Sequence, residues 1–146
     1  MTTRSVHILL VEDSPNDAEL AIAALRDHRV ANRIDVARDG EEALDYFYCR
    51  GKFSTRANGN PGLVLLDVKM PKIDGIEVLR QIKADSNLKS IPVVMLTSSR
   101  EERDVAECYL LGVNAYVVKP VDFSQFMGAV KQIGNFWLQV NEPPPA

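Results

Sequence analysis

Five residues able to do chemistry each stand at the end of a short apolar run. Glu12 and Asp13 follow Ile8-Leu9-Leu10-Val11, and Asp67 follows Leu63-Val64-Leu65-Leu66. Thr97 follows Val93-Val94-Met95-Leu96, and Lys119 follows Ala115-Tyr116-Val117-Val118. Any one of the acids alone reads as a helix cap or a turn residue. Brought together, the five make a carboxylate cluster with a hydroxyl and an ammonium beside it. Carboxylates about 4–6 Å apart repel, and one of them would normally take up a proton. A divalent cation removes that conflict, and hard oxygen donors with room for water suit Mg²⁺.

The elements that must position these residues are strands and helices in alternation. Continuous Val/Ile/Leu runs of this length read as strands buried on both faces of a parallel sheet. In an open sheet of that kind, ligands sit outside the carboxyl ends of the strands, where all five residues fall. After the first run, Ser14-Pro15-Asn16-Asp17 reads as a helix start, with Ser as cap and Pro at the first position. Ala18, Ala21, Ile22 and Leu25 give that helix its apolar stripe. Residues 32–37 form a short second strand with Ile34 and Val36 on one face. Asp39-Gly40 opens a second helix carrying Ala43, Leu44, Phe47 and Tyr48. Asp74-Gly75 opens a third, with Ile76, Leu79 and Ile82. A fourth covers about 100–111 and stops at Gly112, a frequent C-terminal stop. The fifth runs from about 122 to 137, with Phe123, Phe126, Met127, Val130, Ile133 and Trp137 on one stripe. Residues 51–62, rich in Lys, Ser, Arg, Asn and Gly, read as an exposed loop. Five βα units with right-handed crossovers predict an α/β fold, a doubly wound parallel sheet with helices on both faces.

Composition agrees. The chain has 146 residues, 46% hydrophobic and 25% charged, with a net charge of −3. That balance excludes a basic nucleic-acid binder. The two cysteines, Cys49 and Cys108, lie in no CxxC pattern, so they read as packing residues in a reducing compartment. His7 and His28 stand alone. No apolar run approaches the ~20 residues of a membrane helix and no signal peptide is visible, so a cytoplasmic protein is expected. One domain is expected over residues 1–146, with its core over about 5–138 and a flexible Pro-rich tail at 141–146.

These residues resemble the receiver domains of two-component response regulators, the CheY-like superfamily. The motifs that carry the resemblance are HILLVEDSPND (7–17), LVLLDVKMPKIDG (63–75), PVVMLTSS (92–99) and NAYVVKPVD (114–122). The resemblance implies a flavodoxin-like (βα)5 sheet of strand order 2-1-3-4-5. It implies that Asp67 is the phospho-acceptor, served by a sensor histidine kinase. Glu12, Asp13, Asp67 and the backbone carbonyl of Lys69 would hold Mg²⁺, with Thr97 and Lys119 completing the catalytic set. Thr97 would be the switch hydroxyl and Tyr116 the aromatic that moves with it, although a core-edge tyrosine would look the same in sequence. The Lys119–Pro120 bond would be cis. Lys69 and Ser99 would flank the phosphoryl group and tune the attack of water on it, while Met70-Pro71 and Asp74-Gly75 shape the loop beside it.

The long 48–61 segment and the Phe136-Trp137-Leu138 ending resemble a single-domain subgroup paired with phytochrome-type histidine kinases. With no room for an output domain, the signal would leave through a surface. The receiver of that signal would be a partner protein, a histidine phosphotransfer protein or a second copy of the chain. The Phe136 to Val140 end reads either as core or as part of a dimer contact. The family's fourth helix, fifth strand and fifth helix form its usual self-association face, so a homodimer is expected. Two other readings compete. A flavodoxin-like oxidoreductase would share the sheet order, but its flavin phosphate needs an amide-rich loop, and the 12–17 loop is acidic. A degenerate receiver used as a scaffold is disfavoured because every expected site residue is present.

Overall fold

The computed structural model describes residues 7–27, 33–56 and 59–145. Five strands alternate with five helices: β1 His7–Val11, α1 Pro15–Asp27, β2 Arg33–Ala37, α2 Gly40–Phe47, β3 Leu63–Leu66, α3 Gly75–Ala84, β4 Val93–Thr97, α4 Glu102–Leu111, β5 Ala115–Val118 and α5 Phe123–Asn135. All strand pairs are parallel, in the order β2-β1-β3-β4-β5. The expected fold and strand order are both found.

Alternation of side chains along the strands divides the core into two layers. Leu9, Val11, Val64, Leu66, Val93 and Met95 point towards α2, α3 and α4, where they meet Ala43, Phe47, Leu79, Ile82 and Cys108. Ile8, Leu10, Leu63, Leu65, Val94 and Leu96 face α1 and α5, where they meet Ala21, Leu25, Phe126, Val130 and Ile133. The central strands β3 and β4 are buried throughout, whereas the outer strands β2 and β5 are only partly covered.

Side-chain caps start four of the five helices; α4 has none. Ser14 Oγ accepts the Asp17 amide at 3.3 Å, and Asp39, Asp74 and Asp122 accept the amides of Glu42, Glu77 and Gln125. Each such cap stabilises a helix by about 1 kcal/mol. Gly112 ends α4 with φ +99°, a left-handed conformation that glycine adopts without strain.

Several expectations need correction. Phe123 is exposed at the first turn of α5, while Phe126, Val130 and Ile133 carry the buried stripe. In α2 it is Tyr46, not Tyr48, that is fully buried. No described peptide bond is cis, so Lys119–Pro120 is trans, the isomer favoured by about 0.5–1 kcal/mol even before proline. The apolar end divides. Leu138 is buried and Trp137 packs on the α1/α5 layer, while Phe136 and Val140 stay exposed on a π-type turn that extends α5 over Phe136–Val140. Cys108 is buried and Cys49 partly so, both as free thiols. His28, residue 32, the expected core boundary at residue 5 and the terminal Ala146 lie outside the described residues.

His7 is not isolated. Tyr46 Oη donates to Asp35 Oδ2 at 2.7 Å, and His7 Nε2 lies 2.6 Å from that hydroxyl and 3.0 Å from the carboxylate. The tyrosine proton is committed to Asp35, so the geometry assigns a proton to His7 Nε2, which both oxygens accept. Arg33 also binds Asp35, at 3.0 Å. Arg56 donates to the Tyr46 carbonyl at 2.9 Å and lays its guanidinium 4.0 Å from the ring centroid. Arg56 thereby ties part of the segment after α2 to the body; that segment begins with a short 3₁₀ turn at Gly51–Phe53 and its described residues are mostly exposed, as expected.

Candidate functional site

Each strand end delivers its residue to one edge of the sheet. Glu12 follows β1, its amide bonded to the Ala37 carbonyl, and one carboxylate oxygen accepts the Ser14 amide at 3.1 Å. Asp67 follows β3, its amide bonded to the Val11 carbonyl, and Oδ1 accepts the Lys69 amide at 3.3 Å. Thr97 closes β4 and is fully buried, with Oγ1 accepting the Ser99 amide at 3.3 Å. Lys119 follows β5, its amide bonded to the Thr97 carbonyl at 2.8 Å.

Two glycines hold the loop after β3 against its neighbours. A Cβ on Gly75 would lie 1.9 Å from the Asp67 carbonyl oxygen, and one on Gly40 would lie 1.9 Å from that of Ile73. No other residue lets α3 and α2 approach this loop so closely. Asp74-Gly75 is therefore loop geometry beside the site, as the sequence predicts.

The Lys119 ammonium is the centre of the pocket. It donates to Glu12 at 2.6 Å, to Asp67 Oδ2 at 3.0 Å and to Asp17 at 3.0 Å, with its side chain only 9% exposed. Burial alone would lower the lysine pKa, but the carboxylates on it raise it, so the ammonium stays charged. Burial also dominates at Glu12 and pushes its carboxyl up to about 7, against the lowering pull of Lys119.

Glu12, Asp13 and Asp67 offer oxygens that all lie within 4.8 Å of one another. Two unit charges at that separation repel by about 3 kcal/mol at an effective dielectric near 20. One ammonium does not neutralise this set, and three carboxylates with one of them exposed to solvent match the donors a hard divalent cation takes. The residues present fit Mg²⁺ or Mn²⁺. The same acidic loop would repel a flavin phosphate.

Beyond the carboxylates, Tyr116 Oη donates to the Ser99 carbonyl at 3.0 Å, and burial raises its pKa. Ser99 Oγ donates to Asp104 Oδ2 at 2.7 Å, and Lys69 Nζ pairs with the same oxygen at 3.4 Å. Sequence reasoning missed Asp17 and Asp104 as members of this region. Each occupies the first turn of a helix, where an acid reads as a complement to the helix dipole, and nothing local separates the two uses.

Comparison with known proteins agrees with this fold. The response regulator Rcp1 of Synechocystis sp. is 39% identical over 139 residues, covering 95% of this chain and 93% of that protein. Its Mn²⁺-bound crystal structure superposes with a TM-score of 0.88 at 38% identity, over 96% of this chain and 99% of that one. The phosphorylated cyanobacterial phytochrome response regulator RcpA gives a TM-score of 0.90 at 41% identity, over 96% and 99%. The bacteriophytochrome response regulator AtBRR is 54% identical with a TM-score of 0.74, over 97% and 100%. The family model of the response regulator receiver domain matches residues 8–131, and this chain belongs to that family of signalling proteins.

Proposed function

We propose that this receiver accepts a phosphoryl group on Asp67 from a sensor histidine kinase, in a Mg²⁺-dependent reaction that switches its surface. The observation that carries the reading is the buried Asp67 carboxylate, held by the Lys69 amide and the Lys119 ammonium beside two further acids. An oxygen of Asp67 attacks phosphorus, the bond from phosphorus to the kinase imidazole breaks, and the imidazole keeps the electron pair. Glu12, Asp13, Asp67 and the Lys69 carbonyl would hold the metal. When bound, it neutralises charge on the phosphoryl oxygens. Lys119 then shifts from the carboxylates to one phosphoryl oxygen, and the Thr97 hydroxyl donates to another.

Thr97 and Tyr116 both bond to Ser99, so movement of Thr97 towards the phosphoryl group reaches Tyr116 through that residue. This coupling supports Tyr116 as the second member of the switch. The phosphorylated RcpA and Mn²⁺-bound Rcp1 support the acceptor and metal assignments by likeness. The Rcp1 match, which spans nearly all of both proteins, supports reading residues 1–146 as one receiver unit. The phytochrome-linked names of RcpA and AtBRR support a phytochrome-type kinase as donor. Relay onward to a histidine phosphotransfer protein is compatible with the same chemistry. Tyr109 and Leu110 on α4, with Val121 and Phe123 before and in α5, expose apolar side chains. They support self-association through the α4–β5–α5 face. No described helix is long and apolar enough to cross a membrane, and free thiols at Cys49 and Cys108 support a reducing, cytoplasmic setting.

Intact mass after incubation with Mg²⁺ and acetyl phosphate tests the acceptor. One added phosphoryl group on the wild type and none on Asp67→Asn is expected. An adduct that survives in Asp67→Asn would overturn the assignment, and a wild type that binds Mg²⁺ yet stays unmodified would favour the scaffold reading.

A further inference from the structure

Asp104 is a nearly buried carboxylate that the phosphoryl chemistry above does not use. Its side chain is 8% exposed, and its two partners come from the two loops that border Asp67. From the loop after β4, Ser99 Oγ donates to Asp104 at 2.7 Å. From the loop after β3, the Lys69 ammonium reaches the same oxygen at 3.4 Å. The backbone of Lys69 is already at the acceptor, with its amide on Asp67 Oδ1 at 3.3 Å. Lys69 thus has its backbone at the acceptor and its ammonium at the α4 carboxylate, so it adjoins two anion positions, the fixed carboxylate and the oxygens of Asp67.

We propose that Asp104 is a positioning residue that draws the Lys69 ammonium aside and keeps the acyl phosphate on Asp67 open to water. The inference rests on the acyl phosphate proposed above. Hydrolysis of that group needs a water in line with the bond from phosphorus to the Asp67 oxygen. The water oxygen bonds to phosphorus and the old bond breaks. Asp67 leaves as a carboxylate, inorganic phosphate forms, and the water protons pass to phosphate and solvent. A free Lys69 ammonium would fold over the phosphoryl oxygens and occupy that approach. Asp104 offers it a competing anion, held in place by Ser99.

The test uses the full chain, phosphorylated with Mg²⁺ and acetyl phosphate, freed of donor by rapid desalting and followed by intact mass. Asp104→Asn keeps the hydrogen bond to Ser99 but removes the charge that draws Lys69. It is expected to lengthen the acyl phosphate half-life about threefold to fivefold, the range a half-exposed ion pair can supply. In a Lys69→Ala background the same substitution should change the half-life by less than half as much, because the residue being positioned is gone. Asp104→Glu, which restores the charge, should shorten the half-life again. Asp104→Ser serves if the Asn variant does not fold, with the same expected direction. An unchanged or shortened half-life overturns the inference. So does an equal effect with and without Lys69, which would show that Asp104 acts only through the loop. A wild type that forms no adduct overturns the reading at Asp67 and this inference with it.

Discussion

Around Lys119, one ammonium serves the carboxylates of Glu12, Asp17 and Asp67, with Asp13 beside them. Around Asp35, one carboxylate is served by Tyr46, His7 and Arg33, and Arg56 covers the tyrosine. The first cluster lies beyond the carboxyl ends of the strands. The second gathers about His7, at the amino end of β1, and α2. Both draw on charged residues set into or directly after β1 and a neighbouring strand. They differ in what is left over. The Asp35 cluster has a donor for each acceptor direction it uses and needs nothing more. The Lys119 cluster holds an excess of negative charge that its own residues do not neutralise. Uncompensated charge of this kind marks a candidate site, here one whose acid oxygens fit a divalent cation.

Removing the largest part of the satisfied cluster should have the largest effect on stability. Tyr46→Ala empties a fully buried aromatic position and is expected to cost about 3–5 kcal/mol in urea unfolding, equally with and without Mg²⁺. A loss that Mg²⁺ reverses would mean that the two clusters are coupled.

Neutralising one acid in each cluster should give opposite signs. Asp35→Asn removes the charged acceptor for three donors and should cost about 1–3 kcal/mol. Asp13→Asn relieves repulsion and should stabilise the metal-free protein by up to about 1 kcal/mol, as substitutions at functional sites often do. Comparable losses in both variants would remove the distinction drawn here.

Acidification separates the clusters by a smaller amount. Burial lowers the His7 pKa below its ordinary 6.5, so its contribution is complete above that value and is lost as pH falls through the lowered one. Glu12 is raised from 4.5 to about 7, so in the metal-free protein its contribution is complete below 4.5 and is lost as pH rises through 7. Below pH 6.5 the two therefore oppose each other. Glu12→Gln removes one side, and its unfolding free energy should fall more steeply with acid than that of the wild type. The slope for one group is at most about 1.4 kcal/mol per pH unit. Parallel pH profiles would show that Glu12 is not shifted as burial requires.

These two regions also mark what could be read in the sequence. The strand ends were legible because each apolar run stops at the residue that does chemistry, so Glu12, Asp13, Asp67, Thr97 and Lys119 could be placed before any coordinates. The starts of α1, α2 and α3 at Ser14-Pro15, Asp39-Gly40 and Asp74-Gly75 were legible from local residue types. Tyr46, His7, Asp35 and Arg56 were not, because they come from separate elements and their pairing is a product of packing. Asp17 and Asp104 were hidden by a common local role at helix starts. Phe123 was misplaced because helical periodicity gives a stripe without saying at which turn its burial begins. The Lys119–Pro120 bond was expected to be cis on resemblance alone, and no residue in the chain argued for it.

The most direct test of an acid-rich pocket built to receive a cation is calorimetric titration of Mg²⁺ into the wild type, Asp13→Asn and Tyr46→Phe. One saturable site is predicted in the wild type and in Tyr46→Phe, weakened by about tenfold or more in Asp13→Asn. Saturation in Asp13→Asn at the wild-type affinity, or no saturable binding in the wild type, would contradict the account.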